Sequence, residues 1–142
     1  MAIVNIYVSF NGNCEEAFMF YKSVFNKEFN FIGRYCDVPD SAKHHFPNCQ
    51  DEHIMHVTLP ISDETVLMGA DMIHATSEEE NKSKNFSLYV NTESRSEATQ
   101  LFNALSDGGS IILPISDQFW GSYYGTCIDK FGIHWKVSFS EN

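Results

Sequence analysis

The chain has 142 residues, enough for one compact domain burying roughly 70% of the surface its unfolded form would expose. Nine Lys and Arg against nineteen Asp and Glu leave a formal net charge of −10, a field that repels phosphate backbones and anionic bilayers and argues against nucleic-acid binding. No apolar run approaches the about 18 residues of a membrane span, and the opening MAIVNIYVSF lacks a basic lead-in, so a cytoplasmic protein without membrane contact is expected.

Residues 3–10, IVNIYVSF, alternate in character, with Ile6, Val8 and Phe10 on one face and Asn5, Tyr7 and Ser9 on the other, as in a half-buried strand. Asn13 and Glu16 stand at the spacing of a capping box. Ala17, Phe20, Tyr21, Val24 and Phe25 follow at helical spacing and predict a helix over about 14–25. Strand-like segments come next at about 28–36, 53–60 and 65–70. The loops 39–52 and 74–85 are polar and turn-rich; the second reads as a linker, with Glu78–Glu80 as solvated charge. The same order then returns. FSLYVNT (86–92) alternates like a strand, and Ser94-x-x-Glu97 is another capping box. Ala98, Leu101, Phe102 and Leu105 form an apolar stripe, and Gly108-Gly109 ends the helix. Further strands are predicted at about 110–116, 122–128 and 133–139.

Tyr7-Val8 is echoed by Tyr89-Val90, and Glu16-Ala17 by Glu97-Ala98, as in a duplicated half-domain. The expected architecture is therefore α+β: two β-α-β-β-β modules, about 1–73 and 84–142, in a single domain. The four cysteines (Cys14, Cys36, Cys49, Cys127) contain no C-x-x-C pair and read as reduced, small buried groups.

NGNCEEAFMFYKSVF (11–25), IMHVTLPI (54–61), LMGAD (67–71) and FWGSYYGTCIDKFGIHW (119–135) resemble the vicinal-oxygen-chelate superfamily of glyoxalases, bleomycin-resistance proteins and dioxygenases. Within it the resemblance is to the PhnB-like branch, and it runs through essentially the whole chain in order. It implies a cupped mixed sheet built from the two modules, a homodimer, sometimes with modules exchanged between subunits, and a small-molecule site in each cup. Demethylubiquinone methyltransfer is often ascribed to such relatives, but no Gly-rich strand-to-helix loop for S-adenosylmethionine is visible.

The resemblance also implies divalent-metal ligands, usually His and Glu, on the first and fourth strands of each module. Here those strands lack His, Asp and Glu at the expected places, and Lys136 stands where a metal-binding Glu would. A cation there repels a divalent ion, so no metal and no cofactor are expected. His53-x-x-His56 is no substitute, since residues three apart on a strand face opposite ways. His44, His45 and Cys49 lie in a loop without four-ligand spacing.

Alternation also marks a polar face on each module. The pocket is expected to draw on Tyr7, Ser9, His56, Tyr89, Trp120, Tyr123, Tyr124, His134 and Lys136, with glycines 121 and 125 leaving room for a ligand. Should it catalyse, His56 is the general base and Lys136 steadies an anionic oxygen. Trp135 belongs to the core with Ile133 and Val137. Three functions stay open at this point: a metal-free small-molecule-binding protein of unknown ligand, a superfamily enzyme (lyase, isomerase, dioxygenase or resistance transferase) with a divergent or metal-dependent site, or a dimer with a purely structural role.

Overall fold

The structure, a computed structural model, describes residues 2–37, 52–72 and 86–141. The chain divides into two compact units, residues 1–81 and 82–142. The first runs β1 (Ile6–Phe10), α1 (Cys14–Phe25), β2 (Phe31–Arg34), a 3-10 turn (Tyr35–Asp37), β3 (Ile54–Pro60) and β4 (Val66–Asp71). The second runs β5 (Leu88–Asn91), α2 (Arg95–Ser106), β6 (Ser110–Asp117), β7 (Tyr123–Ile128) and β8 (His134–Phe139). Their sheets have one topology, β1-β4-β3-β2 and β5-β8-β7-β6, with the first pair of each parallel and the rest antiparallel. This is the duplicated α+β architecture that the sequence pattern implies. The loop residues His44, His45, Cys49 and Glu78–Glu80 lie outside the described residues. Among the described residues no helix is long and apolar enough to cross a membrane.

Each helix covers one face of its sheet, and burial alternates along the strands as a one-sided cover requires. In β8, Trp135 and Val137 are buried beneath α2 while Lys136 is exposed. On α1 the buried residues are Cys14, Ala17, Phe18 and Tyr21, so the core-facing stripe is rotated from the expected one. Phe20, Val24 and Phe25 are only half-buried. Phe18 takes the central place because β4 carries Gly69 beneath it. A Cβ on Gly69 would meet the Phe18 ring at 2.5 Å and the Val8 carbonyl oxygen at 2.8 Å. Burying a side chain such as Phe18 is worth about 1.5–3 kcal/mol, which this close approach secures.

The two helix starts are capped differently. Ser94 accepts from the Glu97 amide at 3.1 Å, as the capping box requires, and Glu97 reaches back one residue beyond the cap, accepting from the Glu93 amide at 2.9 Å. Asn13 makes no side-chain cap. Asp71, at the far end of β4, serves α1 instead. Its carboxylate accepts from the amides of Gly12 (2.9 Å), Cys14 (3.0 Å) and Ile54 (2.8 Å). Asp71 is 2% exposed, and the three amides replace the water it has lost.

Candidate functional site

The site is built on the sheet faces that the helices leave uncovered. In the first unit, strand register aligns Tyr7 with Met68, Met68 with Thr58, and Thr58 with Phe31. That row carries an aromatic platform: the His56 ring lies 5.7 Å from Tyr7 and 6.0 Å from Phe31. His56 Nε2 and Thr58 Oγ1 are 3.0 Å apart, so one ring nitrogen of the base candidate already has a partner. Ser9 is exposed on the face of β1 that carries Tyr7. Partial burial, and then the Cys14 thiol group, raise the Tyr7 hydroxyl pKa, so at neutral pH Tyr7 is a neutral hydrogen-bonding group.

The equivalent row of the second unit reads Tyr89, Lys136, Thr126, Leu113. Position for position it repeats the first row, except that Lys136 stands for Met68 and Leu113 for Phe31. Here the open face holds a cavity of about 600 Å³. Tyr124, Thr126, His134, Lys136 and Ser87 supply its polar lining, Phe86, Ile112 and Leu113 its apolar lining, and Cys127 and Trp135 complete it. Its volume suits a small molecule. The lining contains no Asp or Glu.

Of the residues expected in the pocket, Tyr124, His134 and Lys136 line this cavity. Tyr89 stands beside Lys136 in register. Trp120, at the hairpin tip between β6 and β7, packs edge-on against Tyr124 at 5.5 Å. Tyr123 does not line the cavity. Neighbours on a strand point to opposite faces, and Tyr123 is turned under α2. There its hydroxyl is 2.8 Å from Thr99 Oγ1, and the Arg95 guanidinium lies 4.2 Å over its ring. Arg95 also forks Asp117 at 2.6 and 3.2 Å, which ties the base of the hairpin to α2 and lowers the Asp117 pKa. The room expected beside Gly125 is filled by β6, since a Cβ there would meet Ile115 at 2.7 Å. Gly121, with φ +98°, has open space around it.

Tyr7, Ser9 and His56 belong to the first unit, and Tyr89, Trp120, Tyr124, His134 and Lys136 to the second. Phe31, Thr126, Ile112 and Leu113 were not singled out in the sequence. Only strand register, which no local pattern specifies, places them beside the others. Cys127 is no nucleophile: burial, and then Asp129, push its thiol up to about 11.

A divalent metal does not fit the donor set. Taken unit by unit, the open-face positions of β1 and β4 carry Tyr7, Ser9 and Met68, and those of β5 and β8 carry Tyr89, Asn91, His134, Lys136 and Ser138, with no carboxylate in either set. Among the described residues no three His, Cys, Asp or Glu are grouped to hold an ion.

Comparison with known proteins shows the family and the fold. A family model described as 3-demethylubiquinone-9 3-methyltransferase matches residues 2–138. The protein PA1353 from Pseudomonas aeruginosa is 30% identical, with a TM-score of 0.82 over 100% of both chains. The PhnB protein from Bacillus cereus, described as a putative 3-demethylubiquinone-9 3-methyltransferase, is 24% identical, with a TM-score of 0.79 over 96% of this chain and 98% of its own. A glyoxylase/bleomycin resistance protein/dioxygenase domain from Frankia sp. EAN1pec shares the fold at 8% identity, with a TM-score of 0.69 over 100% and 93%.

Proposed function

Because the chain belongs to the 3-demethylubiquinone-9 3-methyltransferase family, PhnB-like members of the glyoxalase/bleomycin-resistance/dioxygenase superfamily, we propose that it is a metal-free small-molecule-binding protein whose site is the open face of its second sheet. The observation that carries this reading is the cavity of about 600 Å³ lined by Tyr124, Thr126, His134 and Lys136. Its apolar walls with a few convergent polar groups are the usual makings of a ligand site.

Methyl transfer, which the family's description names, finds no matching donor site in these residues. At the turn into α1 the Gly12 and Cys14 amides are taken by Asp71, and at the turn into α2 the Glu97 and Glu93 amides are taken by Ser94 and Glu97. Neither leaves the amide cradle that a nucleotide-like methyl donor uses. The proposed partners are a small molecule and a second copy of the chain.

A fragment set of charged and neutral aromatics, screened by thermal shift and ligand-observed NMR, tests the reading. Saturable hits that vanish in Thr126→Phe, which fills the cavity from its centre, support it. Absence of any saturable binder, or hits indifferent to the filled cavity, refute it. Elemental analysis finding about one divalent ion per chain would overturn the metal-free part alone.

A further inference from the structure

Resting on that reading of the second-sheet cavity, we infer that its ligand is an oxyanion, a carboxylate or a phosphorus oxyacid, carried on a small apolar body. The first ground is the sign of the lining. In a chain of net charge −10, a cavity with no carboxylate among its lining residues departs from the rest of the molecule. Lys136 supplies an ammonium there, and among the described residues its side chain has neither ion-pair nor hydrogen-bond partner. By contrast Lys22, Arg34 and Arg95 are engaged by Glu28, Glu15 and Asp117.

The second ground is the duplication. Rows Tyr7–Met68–Thr58–Phe31 and Tyr89–Lys136–Thr126–Leu113 occupy the same sheet positions, so the second unit sets a cation on an interior strand of its open face where the first has Met68, the other change being Leu113 for Phe31. The third ground is hydroxyl chemistry around that cation. Thr126 is beside Lys136 in register, and Tyr124 is beside Ser138. Tyr124, Thr126 and Ser87 all line the cavity together with Lys136. An ammonium with three donors and surrounding hydroxyls suits a group that only accepts. Phe86, Ile112 and Leu113 set the opposite character on the cavity's other side, where an alkyl or aryl body would lie.

Four benzyl probes differing in the polar head decide the matter: phenylacetate, benzylphosphonate, 2-phenylacetamide and phenethylammonium. Thermal shift and Trp120 fluorescence read their binding to the wild type, Lys136→Met and Lys136→Arg. At least one anion is expected to bind tenfold or more tightly than the amide and the ammonium; which anion responds separates carboxylate from phosphorus oxyacid. Lys136→Met should bring the anions down to the level of the amide and leave the amide unchanged, while Lys136→Arg keeps the preference. Lys136 is exposed, so these variants should fold. Amide or ammonium binding as tight as both anions, or anion binding untouched in Lys136→Met, overturns the inference and leaves the pocket standing. No response to any of the four overturns the pocket reading together with it.

Discussion

Trp120 and Trp135 share one aromatic-rich stretch and end in opposite environments. Trp135 is 2% exposed, and its indole N–H donates to Asp129 Oδ2 at 2.9 Å. Asp129 Oδ1 also accepts from the amides of Phe131 and Ile133, at 2.8 and 3.1 Å, fixing the turn that feeds β8. Trp120 is 51% exposed and touches Phe119 and Tyr124 edge-on. Trp135→Ala should therefore cost about 3–5 kcal/mol, as large core truncations do. Trp120→Ala should cost less than about 1 kcal/mol, the usual effect at a surface position, yet remove any fluorescence response to a ligand beside Tyr124. Urea denaturation of both variants checks this; a larger loss in Trp120→Ala would reverse the assignment of faces. The two fates were legible in the sequence because Trp135 sits in an unbroken alternation with Ile133 and Val137. Tyr123 and Tyr124 were less legible. Alternation says that they part, but not which one meets the helix.

At the scale of elements, α1 shows what local pattern misses. Asn13-x-x-Glu16 has the spacing of a capping box, yet the helix start is held by Asp71, 57 residues away from Cys14. No window of sequence contains both groups, so only the parallel pairing of β1 with β4, which sets Phe10 beside Asp71, exposes the arrangement. The same pairing sets Gly69 beside Val8 and decides that Phe18, rather than Phe20, faces the core. In α2 the cap partners lie within four residues of each other, and there pattern and structure agree. The contrast yields a paired prediction. Asp71→Asn leaves at least one of three amides facing a donor, and should cost about 3 kcal/mol, the penalty for an unpaired buried polar group. Asn13→Ala, which by the capping-box reading would cost about 1 kcal/mol, should be nearly neutral. Thermal melts of the two variants check the pair, and amide exchange at Cys14 should quicken only in Asp71→Asn. Asp71→Asn melting within about 2 °C of the parent, a shift worth only a fraction of a kcal/mol, would remove Asp71 from this role.

At the scale of the whole molecule, the duplication gives each unit, among the described residues, a matching end strand. β2 and β6 occupy the same edge position in their sheets, and each exposes two adjacent large apolar side chains: Phe31 and Ile32 on β2, Ile111 and Ile112 on β6. An edge strand with apolar side chains in water is a liability that proteins cover, twist or charge. The register shifts in β2–β3 and β6–β7 disturb these edges but put no charge on Phe31, Ile32, Ile111 or Ile112. Cover by a second copy answers the liability, and it underlies the proposal of a homodimer. The charge of −10 acts against it, because two such chains repel until salt screens them. Apolar contact opposed by like charge has a definite salt response: association should tighten as ionic strength rises from about 0.01 to 0.15 M, across which the Debye length falls from about 30 to 8 Å. Light scattering at micromolar concentration should return twice 16.2 kDa at the higher salt, with dissociation beginning at the lower. A mass of 16.2 kDa under both conditions would refute the dimer. A dimer that weakens with added salt would show that charge pairs hold it, and that the apolar edges are not its contact.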